Sequence, residues 1–449
     1  MKRLWLDWLL ATLFVFVVLW AVYGLTQIAL FNAFDPLGEA LGDMEITDLS
    51  FTSLRVDTPP KDSVITIINV GELSRAEIAQ QIRFISQFNP RIIGIDVRFV
   101  CENGDDPINC PAGYDTLSNL MLGGAIAQAG TVVLASKVAQ SASLIKKYGD
   151  TDLYDSIIHT QEMVRGLAYE GYANLETGAD TQEDLKECRR FRPSLTMVDG
   201  TRLLAFSTQI AMLYDSVKTK KFLARGRESE VINFRGNGPD IHRASAEQYA
   251  KSSAYYYLDW DQVLDTTRYL PSEIITDKIV LFGFMGKSFM DTSWDDKFFT
   301  PLNENFAGRS RPDMYGLVVH ANIISMILNG NFIDEMTAWQ KFILAFLVCY
   351  FNMALFWMIN RRLPLWLGGL ALLVLLVQIV ILTGLMMNVF HLFNFKLDLT
   401  ITLLTIALSG TCFELYFNLF KVVVVRMRAK RMFTNKNDEV LTAGNSEIY

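Results

Sequence analysis

The sequence predicts a membrane protein with four transmembrane helices and an exported α/β domain built on a mainly parallel sheet. Three observations carry the prediction. The apolar residues of this 449-residue chain gather toward its two ends, in four runs near the ~20 residues that cross a bilayer. Between them, short apolar runs alternate with helical patterns, the order that builds a parallel sheet covered by helices. The basic residues cluster on one side of the four runs, which sets their orientation.

The first run, residues 4–25, reads "LWLDWLLATLFVFVVLWAVYGL". It is longer than the roughly 7–15 apolar residues of a secretory signal and no small-x-small cleavage site follows, so it reads as an uncleaved anchor. The other spans are 339–360, 365–388 and 397–420. Lys2 and Arg3 precede span one, Arg361 and Arg362 separate spans two and three, and Lys421, Arg426, Arg428, Lys430 and Arg431 follow span four. Four crossings put all three clusters on the cytoplasmic side of a bacterial inner membrane. Both termini are then inside. Residues 1–31 form a cytoplasmic tip and span one, 32–337 an exported domain, 338–421 spans two to four, and 422–449 a tail, basic and then polar. A tail this short buries no core of its own. The net charge of -7 argues against a nucleic-acid partner, which selects a basic face.

Within 32–337, "SVITIINV" (63–70), "PRIIGIDVRF" (90–99) and "TVVLASKV" (131–138) read as strands. "SRAEIAQQIRFISQFN" (74–89) and "TLSNLMLGGAIAQAG" (116–130) are the helices between them, the first with Ile78, Ile82 and Ile85 at helical spacing. Further strands are expected at "GLAYEGYANL", "EVINFRG" and "DKIVLFGF". One long helix is expected over 201–217, and a last one at "YGLVVHANIISMILNG".

"KIVLFGFMGKSFMD" (278–291) invites comparison with a phosphate loop, but five positions before Gly286 stands Leu281, not glycine. A nucleotide loop also needs a following helix to aim its N-terminus at the phosphate. "FMDTSWDDKFF" has no apolar stripe, so an ATPase is excluded. With four histidines, no H-E-x-x-H, no cysteine pair at metal spacing and no Gly-x-Ser-x-Gly elbow, neither an enzyme, a metal site nor a cofactor is expected.

The polar signals that remain each have two readings. Asp291, Asp295, Asp296 and His320 gather at a strand's carboxyl edge as a ligand site; otherwise Asp291 caps a turn and His320 is hydrogen-bonded at a helix start. Asp96, ending "IGID", binds a ligand or accepts N–H bonds from the next loop. Arg189, Arg190 and Arg192 hold an anion or form a solvated face. In the membrane, Asp7 and Glu414 are helix-contact residues. Glu414 is expected either to bond Asn352 of span two or to meet a partner's helix, since an unpaired mid-membrane carboxylate costs several kcal/mol. Gly368 and Gly369 allow close helix approach and self-association. Cys101 and Cys110 are expected to pair on the exported side, closing a short loop worth roughly 2–3 kcal/mol. Cys188 stays single.

Four stretches resemble the CHASE type 2 domain, the second class of extracellular sensory domain associated with cyclases and histidine kinases. They are "FISQFNPRIIGIDVRF", "GYANL" with "CRRFRPSL", "VINFRG", and "KIVLFGFMGKSFMD…TPLN…MYGLVVHANIISMIL". The likeness covers about 63–330. It implies an extracytoplasmic sensor with one span before it and three after, a topology the charge clusters match independently. Such proteins commonly carry an output enzyme after the last span. None is expected in 422–449, so the resemblance implies a receptor that signals through a separate partner protein. The alternative is a constitutive structural or scaffold subunit of a cell-envelope complex.

Overall fold

The computed structural model describes residues 4–26, 60–101, 106–148, 153–177, 186–238, 254–265, 269–291, 293–303 and 311–420. The chain divides into two compact units, Asp48–Ile333 and the segments flanking it.

In the first unit the apolar runs become β1 (Ile65–Asn69), β2 (Ile92–Asp96), β3 (Val132–Ala139), β4 (Ser156–Ile158), β5 (Tyr169–Tyr172), β6 (Tyr256–Leu258) and β7 (Ile279–Gly283). They form one sheet in the order β6-β1-β7-β2-β3, with β5 and β4 both pairing with β3. Only the β3–β4 pairing is antiparallel. β1 and β7 are buried at every position, because helices cover both faces. That is why they read as mostly apolar runs and not as strict alternation.

One face is covered by α1 (Arg75–Ser86) and α2 (Thr116–Gln128). Ile78, Ile82, Leu122 and Ile126 share a core there with Ile93, Ile95, Val280 and Phe282. Each such buried side chain contributes roughly 1.5–3 kcal/mol. Ser74 and Glu77 close a capping box at the start of α1, satisfying two orphan N–H groups. The other face carries α3 (Phe206–Tyr214), followed by α4 (Ser216–Leu223), and α5 (Gly316–Asn329). Gly94 faces that way, and Ile210 and Phe206 crowd the place of its missing Cβ.

Two expectations need correction. Residues 201–217 are not one helix. Arg202–Leu204 pairs with Ser194–Thr196 as a hairpin, and Asp215 breaks the rest by taking an extended conformation and capping α4 through Lys218 N–H. "EVINFRG" does not join the sheet. Glu230–Val231 pairs with Arg190–Phe191 instead, held there by ion pairs from buried Glu230 to Arg225 and Arg227.

At the carboxyl end of β1, Asn69 is fully buried. Its amide donates to Asp259 and to the Gly286 carbonyl and its oxygen accepts from Gly71 and Met285 N–H. It thereby fixes the loop after β7. Asn69→Ala is expected to lower the unfolding free energy by about 2 kcal/mol, because several buried polar groups lose partners at once. Urea titration in detergent measures it.

The flanking unit contains four helices long and apolar enough to cross a membrane, Leu4–Gly24, Ala338–Arg362, Pro364–Phe393 and Thr400–Asn418. Ala11 and Val15 of the first, Met353 and Phe356 of the second, Ala371 and Leu375 of the third, and Ile406 and Phe413 of the fourth share one core. Asn352 does not bond Glu414. Its amide pairs reciprocally with Gln378 of span three, at 3.0 and 2.7 Å, so each amide meets its own complement. Glu414 is exposed and borders a groove with Gly368, Ala371 and Gly410. Asp7 lies partly buried in the first turn of span one, within electrostatic range of Tyr416. Among the described residues, no atom of another helix approaches within 4 Å of a Cβ placed on Gly368 or Gly369, so no described helix uses these glycines for close approach.

Candidate functional site

Parallel sheets offer their carboxyl edge to ligands, and here that edge is shaped by four short segments. β2 ends on Asp96. β3 contributes Ser136 and Lys137. Beyond β5, Asn174 bonds both main-chain groups of Val138, extending the sheet edge by one side chain. Asp296 lies before α5, in the left-handed region at φ 56°, and its carbonyl accepts from Gly316 N–H at 3.0 Å. A Cβ on residue 316 would stand 3.3 Å from the Asp296 carboxylate, so glycine lets that carboxylate lie over the first turn of α5.

These segments enclose a cleft of about 230 Å³, lined by Asp96, Ser136, Lys137, Asp296 and His320 among others, with Arg98 beside them. His320 Nε2 is 3.9 Å from Asp96, beyond hydrogen-bond reach. The imidazole is otherwise engaged. Its Nδ1 is 2.7 Å from the Ser207 hydroxyl, and its ring stands edge-on to Phe206. Burial pushes its pKa down to about 4, so it is neutral at pH 7.

Burial pushes the Asp96 carboxyl up to about 7, against the opposing charge of Arg98. Lost hydration, and then the charge of Asp96, push Asp296 up as well. Asp296 is exposed at the cleft mouth, so water attenuates its shift and the weight falls on Asp96.

The cleft therefore brings together Asp96, Asp296 and His320 but neither Asp291 nor Asp295. Asp291 accepts N–H bonds from Lys287 at 2.8 Å and Ser293 at 2.9 Å, which hold its carboxyl below the usual range; it caps the turn after β7. Asp295 is exposed and outside the cleft lining. Lys287 of the rejected phosphate loop points to Glu72 in an exposed ion pair. Among the described residues no group of three His, Cys, Asp or Glu side chains is placed to hold a metal ion. The sulfur atoms of Cys101 and Cys110 stand at bonding distance, 2.06 Å, and Cys188 is buried.

The arginine run is not a solvated face. Arg189 pairs with Glu187 and Arg192 with Glu176, both arginines mostly buried, beside a second cavity of about 420 Å³ that also meets Tyr154 and Tyr172. Sequence reasoning missed Ser136, Lys137 and Asn174. Their one local signal was polar residues at the carboxyl ends of two apolar strands.

No curated protein and no solved structure matches the chain. The model of the CHASE2 domain, an extracellular sensory domain, matches residues 11–359. That is well over half of the 449 residues, and the chain belongs to the CHASE2 domain family.

Proposed function

We propose that this protein is a membrane-anchored extracytoplasmic sensor that binds its stimulus in the Asp96–Asp296 cleft and signals through a separate partner protein. The observation that carries the reading is the cleft itself. A polar cavity at the carboxyl edge of a parallel sheet is where α/β folds take ligands, and this one lies in a family of extracellular sensory domains. The basic clusters around the four spans support an inner-membrane location with both termini in the cytoplasm. No catalysis is proposed, since burial holds His320 neutral at pH 7 and its Nδ1 is held by Ser207. A ligand acts here only through its different affinity for two states of the receptor.

The exported placement is tested with Leu167→Cys, a fully exposed position, in bacterial cells treated with a membrane-impermeant maleimide. Labelling of intact inner membranes is expected. Labelling only after lysis sinks the reading.

The second reading is a constitutive subunit of an envelope assembly. Exposed Glu414 in span four favours it, because a carboxylate facing hydrocarbon calls for a donor from another chain. A subunit co-purifies with a large partner at fixed stoichiometry, whatever solute is present. A sensor shows a solute-dependent shift in melting.

A further inference from the structure

We infer that span four is the docking face for a transmembrane helix of a different protein, one that brings a lysine or arginine to Glu414 inside the membrane. This rests on the reading of a membrane-spanning chain that works through a separate partner, and it adds the chemistry of that partner.

Span four has two faces. Thr405, Ile406, Ser409, Cys412 and Phe413 are buried. Leu404, Ala407, Thr411, Glu414 and Asn418 are exposed, and their 3-4-3-4 spacing is that of a helix-pairing seam. A face turned to lipid is ordinarily apolar, as it is on span three at Leu372, Leu376, Val380 and Ile381. On span four the last three seam positions are a threonine, a glutamate and an asparagine. Among the described residues, no hydrogen bond or ion pair reaches any of these three side chains. Ionisable residues in a membrane span seldom face lipid; they pair, and they mark contacts or pathways.

Glu414 lies deep in the span. Thr400 and Glu414 are the first and last of 15 α-helical residues, about 21 Å apart at roughly 1.5 Å per residue, in a hydrocarbon core ~30 Å thick. Helical side chains lean toward the helix N-terminus. For span four that direction is the exported side, so the carboxylate leans toward the bilayer centre and away from the nearer, cytoplasmic surface. Directly after it the helix widens into a π turn over Leu415–Phe420, a distortion frequent at functional sites. Beside the seam runs a groove of about 230 Å³, lined by Gly368, Ala371, Ala407 and Gly410, with Phe356 and Phe413. Small residues of this kind let a second backbone come close.

Charge selects the occupant. A carboxylate in hydrocarbon calls for a donor, and Thr411 and Asn418 lie one turn to either side of it on the same face. Together the three side chains offer acceptors to the three N–H donors of an ammonium or the five of a guanidinium. Acyl chains of lipid carry no donor. A second copy of this chain matches badly. Docked seam to seam by a two-fold axis, it sets Glu414 against Glu414. The lysines and arginines of the four spans are Lys341, which Asp398 holds, and Arg361 and Arg362 at the end of span two, so the chain offers itself no cation in the interior of a span.

The test has two arms. In liposomes, the full chain is mixed with synthetic membrane-spanning peptides of leucine and alanine that carry one lysine, one glutamate or no polar residue at the depth of Glu414, and association is read by energy transfer. The lysine peptide is expected to bind at least tenfold more tightly than the other two. Glu414→Gln should abolish that preference, and Glu414→Lys should transfer it to the glutamate peptide. In the native membrane, a photoreactive residue is placed at position 407, with exposed Val380 of span three as the lipid-facing control position. Position 407 is expected to cross-link one protein, through a transmembrane segment with an interior lysine or arginine, and Glu414→Leu should abolish the cross-link. Melting curves check that each variant is folded. Equal affinity for the lysine and apolar peptides overturns the inference. So does a cross-link from position 407 to lipid alone, to a second copy of this chain, or to a segment without an interior cation. None of these results bears on the solute-dependent melting or on the labelling of Leu167→Cys, so the sensor reading stands or falls separately.

Discussion

Gly171→Ala is expected to destabilise the α/β unit by about 3 kcal/mol or more. Gly171 lies in β5, and a Cβ there would stand 2.6 Å from Phe206 Cα and 2.9 Å from Phe206 N. These are main-chain atoms of the first turn of α3, so no rotamer change relieves the clash. Either the helix or the strand must move, and overpacking that shifts backbone reaches the upper end of its usual 1–3 kcal/mol range or beyond. Gly94→Ala is a useful contrast. Its nearest atoms are the side-chain tips Ile210 Cδ1 and Leu281 Cδ2, which yield more readily. The consequence of moving α3 reaches the cleft, because Ser207 is its second residue and holds His320 at 2.7 Å. Urea titrations of the two variants in the same nanodiscs decide the matter. A loss below about 1 kcal/mol for Gly171→Ala, or a larger loss for Gly94→Ala, would show that the β5–α3 approach is not as tight as the geometry requires.

What the sequence made legible follows from how local each signal is. β1, β2, β3 and β7 were readable because burial on both faces writes short, mostly apolar runs into the chain. α1 was readable from Ile78, Ile82 and Ile85 at helical spacing. β6 escaped because "YYL" is only three residues long, and its place beside β1 is a long-range fact. The break at Asp215 escaped because an acidic residue is tolerated in a helix, and only its capping of α4 reveals the boundary. The site divides in the same way. Asp96 is a carboxylate ending an apolar strand, visible as such. Asp291 and Asp296 are five residues apart and equally acidic, yet one caps a turn and the other reaches the cleft. The left-handed backbone at Asp296 and the missing side chain of Gly316 make that difference, and neither is encoded by the acidic pattern. Among the apolar helices, Asn352 was one of two partners expected for Glu414, and its pairing with Gln378 is a long-range fact that neither residue signals locally. An amide finds a better complement in another amide than in a carboxylate, which offers no donor.

Asp96→Asn is expected to change how stability depends on pH, and the direction follows from two opposed groups. Burial raises the folded Asp96 carboxyl from its ordinary 3.8 to about 7. Between these values the folded protein holds a proton that the unfolded chain has lost, so the Asp96 contribution is fully present below about pH 4 and disappears as pH rises through 7. A gap of about three units corresponds to at most about 4 kcal/mol. His320 runs the other way. Its folded value near 4 lies below its ordinary 6.5, so its contribution is present above pH 6.5 and is lost as pH falls toward 4. In the wild-type chain the two slopes oppose each other between about pH 4 and 6.5. Asparagine imitates the neutral carboxyl at every pH and removes the falling slope. The variant should therefore gain stability from pH 4 to 6.5 more steeply than the wild type, and should not share the further fall between pH 6.5 and 7. The charges of Arg98, Lys186 and Asp296 act on the same site, and Asp296→Asn serves as the companion variant, with a smaller effect because water reaches that residue. Urea titrations at one-unit intervals from pH 4.5 to 8.5 give the difference between variant and wild type directly. It should grow with pH and level off above about 7.5. A difference that stays constant across the series would mean that Asp96 ionises at the same pH in the folded and the unfolded chain, and that burial does not raise it.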